Sequence, residues 1–186
     1  MQTTEPTTIH LKDYKPSAFL IDSIHLTVDI LDKHTEVKSV IQMKKNSGFE
    51  GKPATLELNG ENVKFKSVKL NGEILQAQDF EVTSDKLIIA NLALDTFTLE
   101  ILNDIDPEGN KACEGFYQSG DQYCTQCEPE GFRKITYYLD RPDVMAKFKT
   151  RMSGDKKKFP FLLSNGNRID SGDLPDGRHF VEWEDP

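Results

Sequence analysis

The sequence predicts a mainly β fold, a twisted antiparallel β-sandwich or saddle-like sheet with at most one short helix. Three observations carry this expectation. Apolar Ile24, Leu26, Val28 and Ile30 alternate with polar His25, Thr27 and Asp29, the period of two of a strand with one buried face. Asn-Gly pairs at Asn59-Gly60, Asn71-Gly72 and Asn165-Gly166 punctuate the chain with residues that tolerate positive φ. The apolar runs between such signals are short and regularly spaced, the rhythm of a sandwich or meander and not of a βαβ unit.

Taken in order, residues 1–16 are proline-containing and threonine-rich and read as an N-terminal arm, with residues 17–186 as a single β domain. Order begins near Phe19, and the run to Ile30 is the strongest strand. The break Asp32-Lys33-His34 leads into Val37, Ser39, Ile41 and Met43 on one parity, which pairs with the first run as an antiparallel hairpin. Leu56 and Leu58, then Val63 to Leu70, Phe80 to Val82, Leu87 to Ile89 and Phe97 to Ile101 continue as short strands. Farther on, Lys134–Leu139 is rich in β-branched and aromatic residues and reads as a strand. Pro142–Phe148 reads as one or two helical turns, because proline suits the first helical position and Asp143 the positive end of the dipole. Phe159–Leu163 and His179–Trp183 read as β.

The length of 186 residues suits one domain, enough to bury roughly 70% of the surface of the unfolded chain. With 23 Lys and Arg against 31 Asp and Glu, the net charge is −8 and the acidic residues are scattered, which argues against a nucleic-acid partner. The opening MQTTEPTTIH has no basic region followed by an apolar one, and no stretch approaches the roughly 18 continuous apolar residues of a membrane span. Three cysteines are an odd number and fit reduced thiols better than a secreted disulfide framework. A cytoplasmic protein without a membrane partner is the expectation.

The stretch Cys113–Pro142 interrupts the β pattern with glycines, cysteines and carboxylates, and a polar loop on an ordered scaffold is where binding chemistry concentrates. Cys124-x-x-Cys127 invites a metal or redox reading. A structural zinc needs about four ligands, and beyond these two cysteines only Cys113 and the dispersed His10, His25, His34 and His179 remain. Ordinary buried or half-buried thiols are the expectation, and the histidines read as surface residues. No G-x-S-x-G elbow or H-E-x-x-H motif occurs, so the chain holds no catalytic set of its own. Gln126 and Glu128, two apart in extended backbone, project toward the same side. An amide oxygen and a carboxylate there suit a cationic group such as an α-ammonium, although two solvated polar side chains would look the same in sequence.

The segment EGFYQSGDQYCTQCEPEGFRKITYYLDRPDV, Glu114 to Val144, resembles the corresponding stretch of the bacterial aminopeptidase N family of H-E-x-x-H zinc metallopeptidases. The resemblance extends to LxLNGExxxxxSVxxNGE from Leu56 to Glu73 and to KxxPFLLSNGNRxxxG from Lys157 to Gly172, so it covers nearly the whole chain. It implies the twisted β N-terminal domain of a larger enzyme, whose thermolysin-like catalytic domain, carrying the Zn2+ ligands and catalytic base, lies outside this chain. It also implies that Gln126 and Glu128 hold the free amino terminus of a peptide substrate, that catalytic and metal residues are absent here, and that Asp140 and Arg141 are scaffold. The parent activity implied is metal-assisted release of N-terminal residues from peptides. The alternative is a freestanding β-sandwich module using the 113–133 loop for a ligand or protein partner. A linked domain would call for apolar surface near the loop, with Phe116, Tyr117 and Phe132 as candidates.

Overall fold

A computed structural model describes residue 8, residues 10–51 and residues 55–186, so half of the expected arm, residues 1–7 and 9, lies outside the described residues. The strands are β1 (Phe19–Ile30), β2 (Thr35–Lys45), β3 (Thr55–Asn59), β4 (Lys64–Leu70), β5 (Glu73–Ile74), β6 (Phe80–Val82), β7 (Lys86–Ala90), β8 (Thr96–Ile105), β9 (Gly115–Ser119), β10 (Gln122–Gln126), β11 (Lys147–Asp155), β12 (Asn167–Asp173) and β13 (Arg178–Asp185). Two 3-10 turns, Leu11–Asp13 and Phe132–Lys134, are the helical elements among the described residues. An eight-stranded sheet runs β12-β13-β11-β1-β2-β8-β4-β5, beside a three-stranded sheet β3-β7-β6 and the hairpin β10-β9.

The β1–β2 hairpin forms as its alternation dictates, with Ile24 opposite Ile41 and Val28 opposite Val37. Phe19 and Ile21 lie on odd positions and Ile24, Leu26, Val28 and Ile30 on even ones, yet all six are buried. A register shift between Ile21 and Ser23 reconciles them, since one extra residue switches the side-chain phase. Leu56 and Leu58 of β3 and Leu87 and Ile89 of β7 pack with Val68, Leu99 and Ile101 of the large sheet in one buried core. Asn71 and Gly72, at φ of 51° and 90°, make the tight turn between β4 and β5.

Four expectations are corrected. Asn59-Gly60 makes no hairpin, because β3 pairs with β7. Gly60 instead lies flat against Tyr137, where a Cβ would come within 2.2 Å of the ring. Lys134–Leu139 is not a strand: it begins in a 3-10 turn and then makes a single bridge, Asn59 with Tyr138. Ile135 to Leu139 are all buried, so the β-favouring residues report burial here and not a two-faced strand. Pro142–Phe148 is not helical. It turns at Pro142-Asp143 and enters β11, which pairs in parallel with β1 along Ser23 to Asp29. That pairing satisfies the backbone groups on the side of β1 away from β2. Phe159–Leu163 is irregular, crossing from β11 toward β12 with Phe161 and Leu163 exposed.

Beyond that one bridge, residues 135–139 are held by side chains. Asn103 of β8 donates from Nδ2 to the Ile135 carbonyl at 3.0 Å and accepts from the Thr136 hydroxyl at 3.0 Å. Ser39 of β2 completes the set, 3.1 Å from Thr136 Oγ1. All three side chains belong to fully buried residues. Asn103→Ala should destabilise the fold by about 1 to 3 kcal/mol, since it strands the buried Ile135 carbonyl and leaves the Thr136 hydroxyl with Ser39 alone. Chemical denaturation checks this, and a loss under 0.5 kcal/mol would contradict it.

Candidate functional site

The Cys113–Pro142 stretch, read as a loop from sequence, contains a hairpin. Ser119 pairs with Gln122 across Gly120-Asp121, and Gly120 takes a φ of 59°, as the first position of a primed turn requires. Ser-Gly-Asp was the available signal. Tyr123 fastens the hairpin: its ring meets Phe116 edge-on at 5.5 Å and Phe159 at 5.1 Å. Its hydroxyl donates to Glu108 Oε1 at 2.7 Å. Burial, then that carboxylate, raises the phenol's pKa well above its ordinary value.

Gln126 closes β10, and the chain then turns tightly. The Gly131 amide donates to the Cys127 carbonyl at 2.8 Å. A Cβ on Gly131 would lie 2.6 Å from the Gln126 carbonyl oxygen, so the turn closes around a missing side chain. Gln126 Nε2 donates to the Glu128 carbonyl at 2.8 Å. That bond orients the amide, directing a donor inward and leaving Oε1 as an acceptor without a donor among the described residues. The Glu128 carboxylate is exposed and likewise has no hydrogen-bond or ion-pair partner among them. The structure therefore brings the two sequence-selected residues onto one turn, with two acceptors available to a cation bearing several N–H donors.

Sequence reasoning missed what stands behind the turn. Arg133 donates from Nε to Asp140 Oδ2 at 2.9 Å and from an η nitrogen to the Asp140 carbonyl at 3.0 Å. The same guanidinium lies 3.4 Å from Glu130 and 3.8 Å from Glu61. Lys134 pairs with Glu114 and Glu61, which ties the entry to β9 to the same patch. Arg141 bonds Asp143 and the Lys15 carbonyl, and Tyr14 donates to Asp143 at 2.9 Å. Asp140 and Arg141 thus serve structural contacts.

Thr125 and Cys127 face a cavity of about 490 Å3 that Phe116, Phe132, Phe148 and Met152 also line. Gln126, between them, faces the other way, and neither it nor Glu128 lines the cavity. Cys113 is exposed and Cys124 and Cys127 are half-buried, all three reduced. Burial, assisted by the Asp140 charge, pushes the Cys127 thiol up to about 11. Among the described residues no group of three or more His, Cys, Asp or Glu is placed to hold a metal ion, so the donor set does not fit zinc. His25 and His34 sit at the surface near Glu182 and Asp104. His179 departs from expectation, being buried with a ring nitrogen 2.7 Å from the Phe159 carbonyl. Phe116, Tyr117 and Phe132 are half-buried and not exposed. Large apolar side chains that are exposed include Met145 at 82%, Phe161 at 82% and Leu163 at 74%, the last lining the same cavity as Phe116 and Phe132.

Among the described residues the fold is thus a mainly β domain whose turn after β10 presents two acceptor groups. Residues 12–186 match the Peptidase M1 N-terminal domain, and the chain belongs to that family. It is similar to aminopeptidase N of Escherichia coli, 48% identical over 184 residues, which are 99% of this chain and 20% of that protein. It is also similar to aminopeptidase N of Caulobacter vibrioides, 44% identical over 186 residues, 100% of this chain and 21% of that protein. The crystal structure of Legionella pneumophila aminopeptidase A in complex with aspartic acid superposes with a TM-score of 0.89 at 32% identity, over 94% of this chain and 20% of that one. The chain spans about a fifth of the length of these relatives.

The thiol chemistry is directly checkable. With a pKa of about 11, Cys127 is about one part thiolate in a thousand at pH 8. Its alkylation by iodoacetamide should be slow there, rising about tenfold per pH unit toward 11, whereas exposed Cys113 should label readily. Residue-resolved mass spectrometry reads this, and Cys127 labelling as fast as Cys113 at pH 8 would contradict it.

Proposed function

We propose that this chain is the substrate-anchoring N-terminal domain of a zinc-dependent aminopeptidase, in which Gln126 and Glu128 hold the free α-ammonium of a peptide. The observation that carries the proposal is the orientation of the Gln126 amide. One of its two N–H donors is engaged by the Glu128 carbonyl, which fixes the amide and leaves Oε1, with the Glu128 carboxylate, as an acceptor. Such a pair takes an ammonium and rejects an N-acylated terminus, which offers no charge and a single donor. Holding the terminus sets the register of the scissile bond, a contribution of proximity and orientation and not of proton transfer.

The Zn2+ and the catalytic base belong in this reading to a covalently linked catalytic domain, because the described residues of this chain supply no ligand set. Met145, Phe161 and Leu163 are exposed apolar side chains available to such a neighbour; interfaces between linked domains bury about 600 to 1,500 Å2. No helix of the described residues is long and apolar enough to cross a membrane, and the three reduced cysteines suit the cytoplasm. The 44% and 48% identities to aminopeptidases about five times as long support this reading over a freestanding module.

Hydrogen bonds to charged groups contribute about 1.5 to 3 kcal/mol. In the intact protein, Glu128→Ala should therefore lower kcat/KM for a free-amine aminoacyl anilide by about ten- to a hundredfold. Gln126→Ala should cost less, part of it in kcat through misplacement of the scissile bond. Zinc content should be unchanged in both, since neither is a ligand. Steady-state kinetics with metal analysis tests this, and a Glu128→Ala enzyme within twofold of wild type would sink the assignment.

A further inference from the structure

We propose that Arg133 is the positioning residue of the amine-anchoring turn, holding Glu128 in place by joining Glu130 of the turn to Asp140. The inference rests on the reading of Gln126 and Glu128 given above.

Glu128 itself touches nothing that would hold it, because its side chain has no partner among the described residues. Its placement must come from the backbone of the turn. Two internal bonds close that turn, Gly131 N–H to the Cys127 carbonyl and Gln126 Nε2 to the Glu128 carbonyl, each at 2.8 Å. Both lie within the turn, so neither fixes it to the domain. At its start β10 does so, where Gln126 pairs with Gly115; at its end Arg133 supplies the attachment. Its guanidinium is largely covered, 14% exposed, and Asp140 is 13% exposed. Asp140 also accepts from the Arg133 backbone amide at 3.1 Å, so both ends of the residue are pinned to one carboxylate. The same Nη2 that donates to the Asp140 carbonyl also reaches the exposed Glu130 carboxylate at 3.4 Å, two positions beyond Glu128. Glu130 holds a φ of 61°, a left-handed conformation uncommon for a residue with a Cβ.

The anchorage continues into the sheets. The Arg133 carbonyl accepts from the Glu61 amide at 2.9 Å, and Asn59 and Tyr138 exchange backbone bonds at 2.8 and 2.9 Å. Glu128 is thereby connected to β3 through Glu130, Arg133 and the segment that follows. Lysine cannot replace this arrangement, since it keeps the charge but loses the planar fork that engages Asp140 and Glu130 together.

The test is a double-mutant cycle in the intact protein with a free-amine aminoacyl anilide as substrate. Arg133→Lys should lower kcat/KM by about five- to tenfold. Combined with Glu128→Ala, it should add less than twofold to the loss of Glu128→Ala alone, because a residue that acts through another has no separate effect once that other is gone. General destabilisation would not show this coupling. Glu130→Gln, at an exposed position that poses little risk to folding, should lower kcat/KM about threefold with the same non-additivity. It decides the matter if Arg133→Lys does not fold. If Glu128→Ala loses tenfold or more while Arg133→Lys and Glu130→Gln stay within twofold of wild type, the positioning role is overturned and the anchor stands. Losses that multiply with that of Glu128→Ala also overturn it. If Glu128→Ala itself is within twofold of wild type, the anchor is wrong and the positioning role falls with it.

Discussion

The buried contact among Ser39, Asn103 and Thr136 is what the architecture around the site depends on. Residues 131–140 cross the inner face of the large sheet without pairing as a strand, so their polar groups need partners from side chains. Asn103 meets that demand twice, at the Ile135 carbonyl and the Thr136 hydroxyl. A polar network inside a core is stabilising only when every member is satisfied, and here the three side chains satisfy one another. Around them Tyr137 lies on Gly60, and Tyr138 stacks edge-on with Phe132 at 4.8 Å. The 3-10 turn and the closed turn before it are carried on this fixed segment, and Gln126 and Glu128 on those.

The outer face of the same sheet is built in the opposite way. Glu100 lies between Lys38 and Lys69, at 3.1 and 2.7 Å. Lys66 reaches Glu36 and Asp104, at 2.8 and 2.6 Å. Lys149 meets Glu182 at 2.7 Å, and the Lys149 ammonium followed by its charge holds the Glu182 carboxyl below its ordinary value against the opposing cost of burial. Asp104 and Glu182 are buried, whereas the exposed pairs around Glu100 contribute only about 0 to 1 kcal/mol each. They keep one face of the sheet wet and direct apolar contact to the face where the hairpin, the cavity and exposed Leu163 lie.

Strands with one wet face and one dry face were legible from sequence: β1, β2, β3, β7 and β8 all show their alternation. The others hide it for identifiable reasons. In β11, Phe148, Thr150 and Met152 alternate, but Pro142 and Asp143 gave a helix-start signal that the parallel edge of β1 overrode. β12 is an exposed, mostly polar edge strand and has no dry face to betray it. Ile135–Leu139 mimics a strand because it is buried all round. At the site, the period of two put Gln126 and Glu128 together, and the family resemblance assigned them a ligand. The amide orientation could not be read, since it depends on a backbone carbonyl brought round by the turn. The Arg133–Asp140 contact was equally hidden, because seven residues and a 3-10 turn separate the partners.

The central claim is that the turn after β10 receives an ammonium group, and the most direct measurement is a crystal structure of the intact protein with a free amino acid bound. The account predicts the ammonium nitrogen at about 2.7 to 3.2 Å from both Gln126 Oε1 and a Glu128 carboxylate oxygen, with the Gln126 Nε2 bond to the Glu128 carbonyl retained. An ammonium held wholly by other residues, with Gln126 and Glu128 left in solvent, would contradict it.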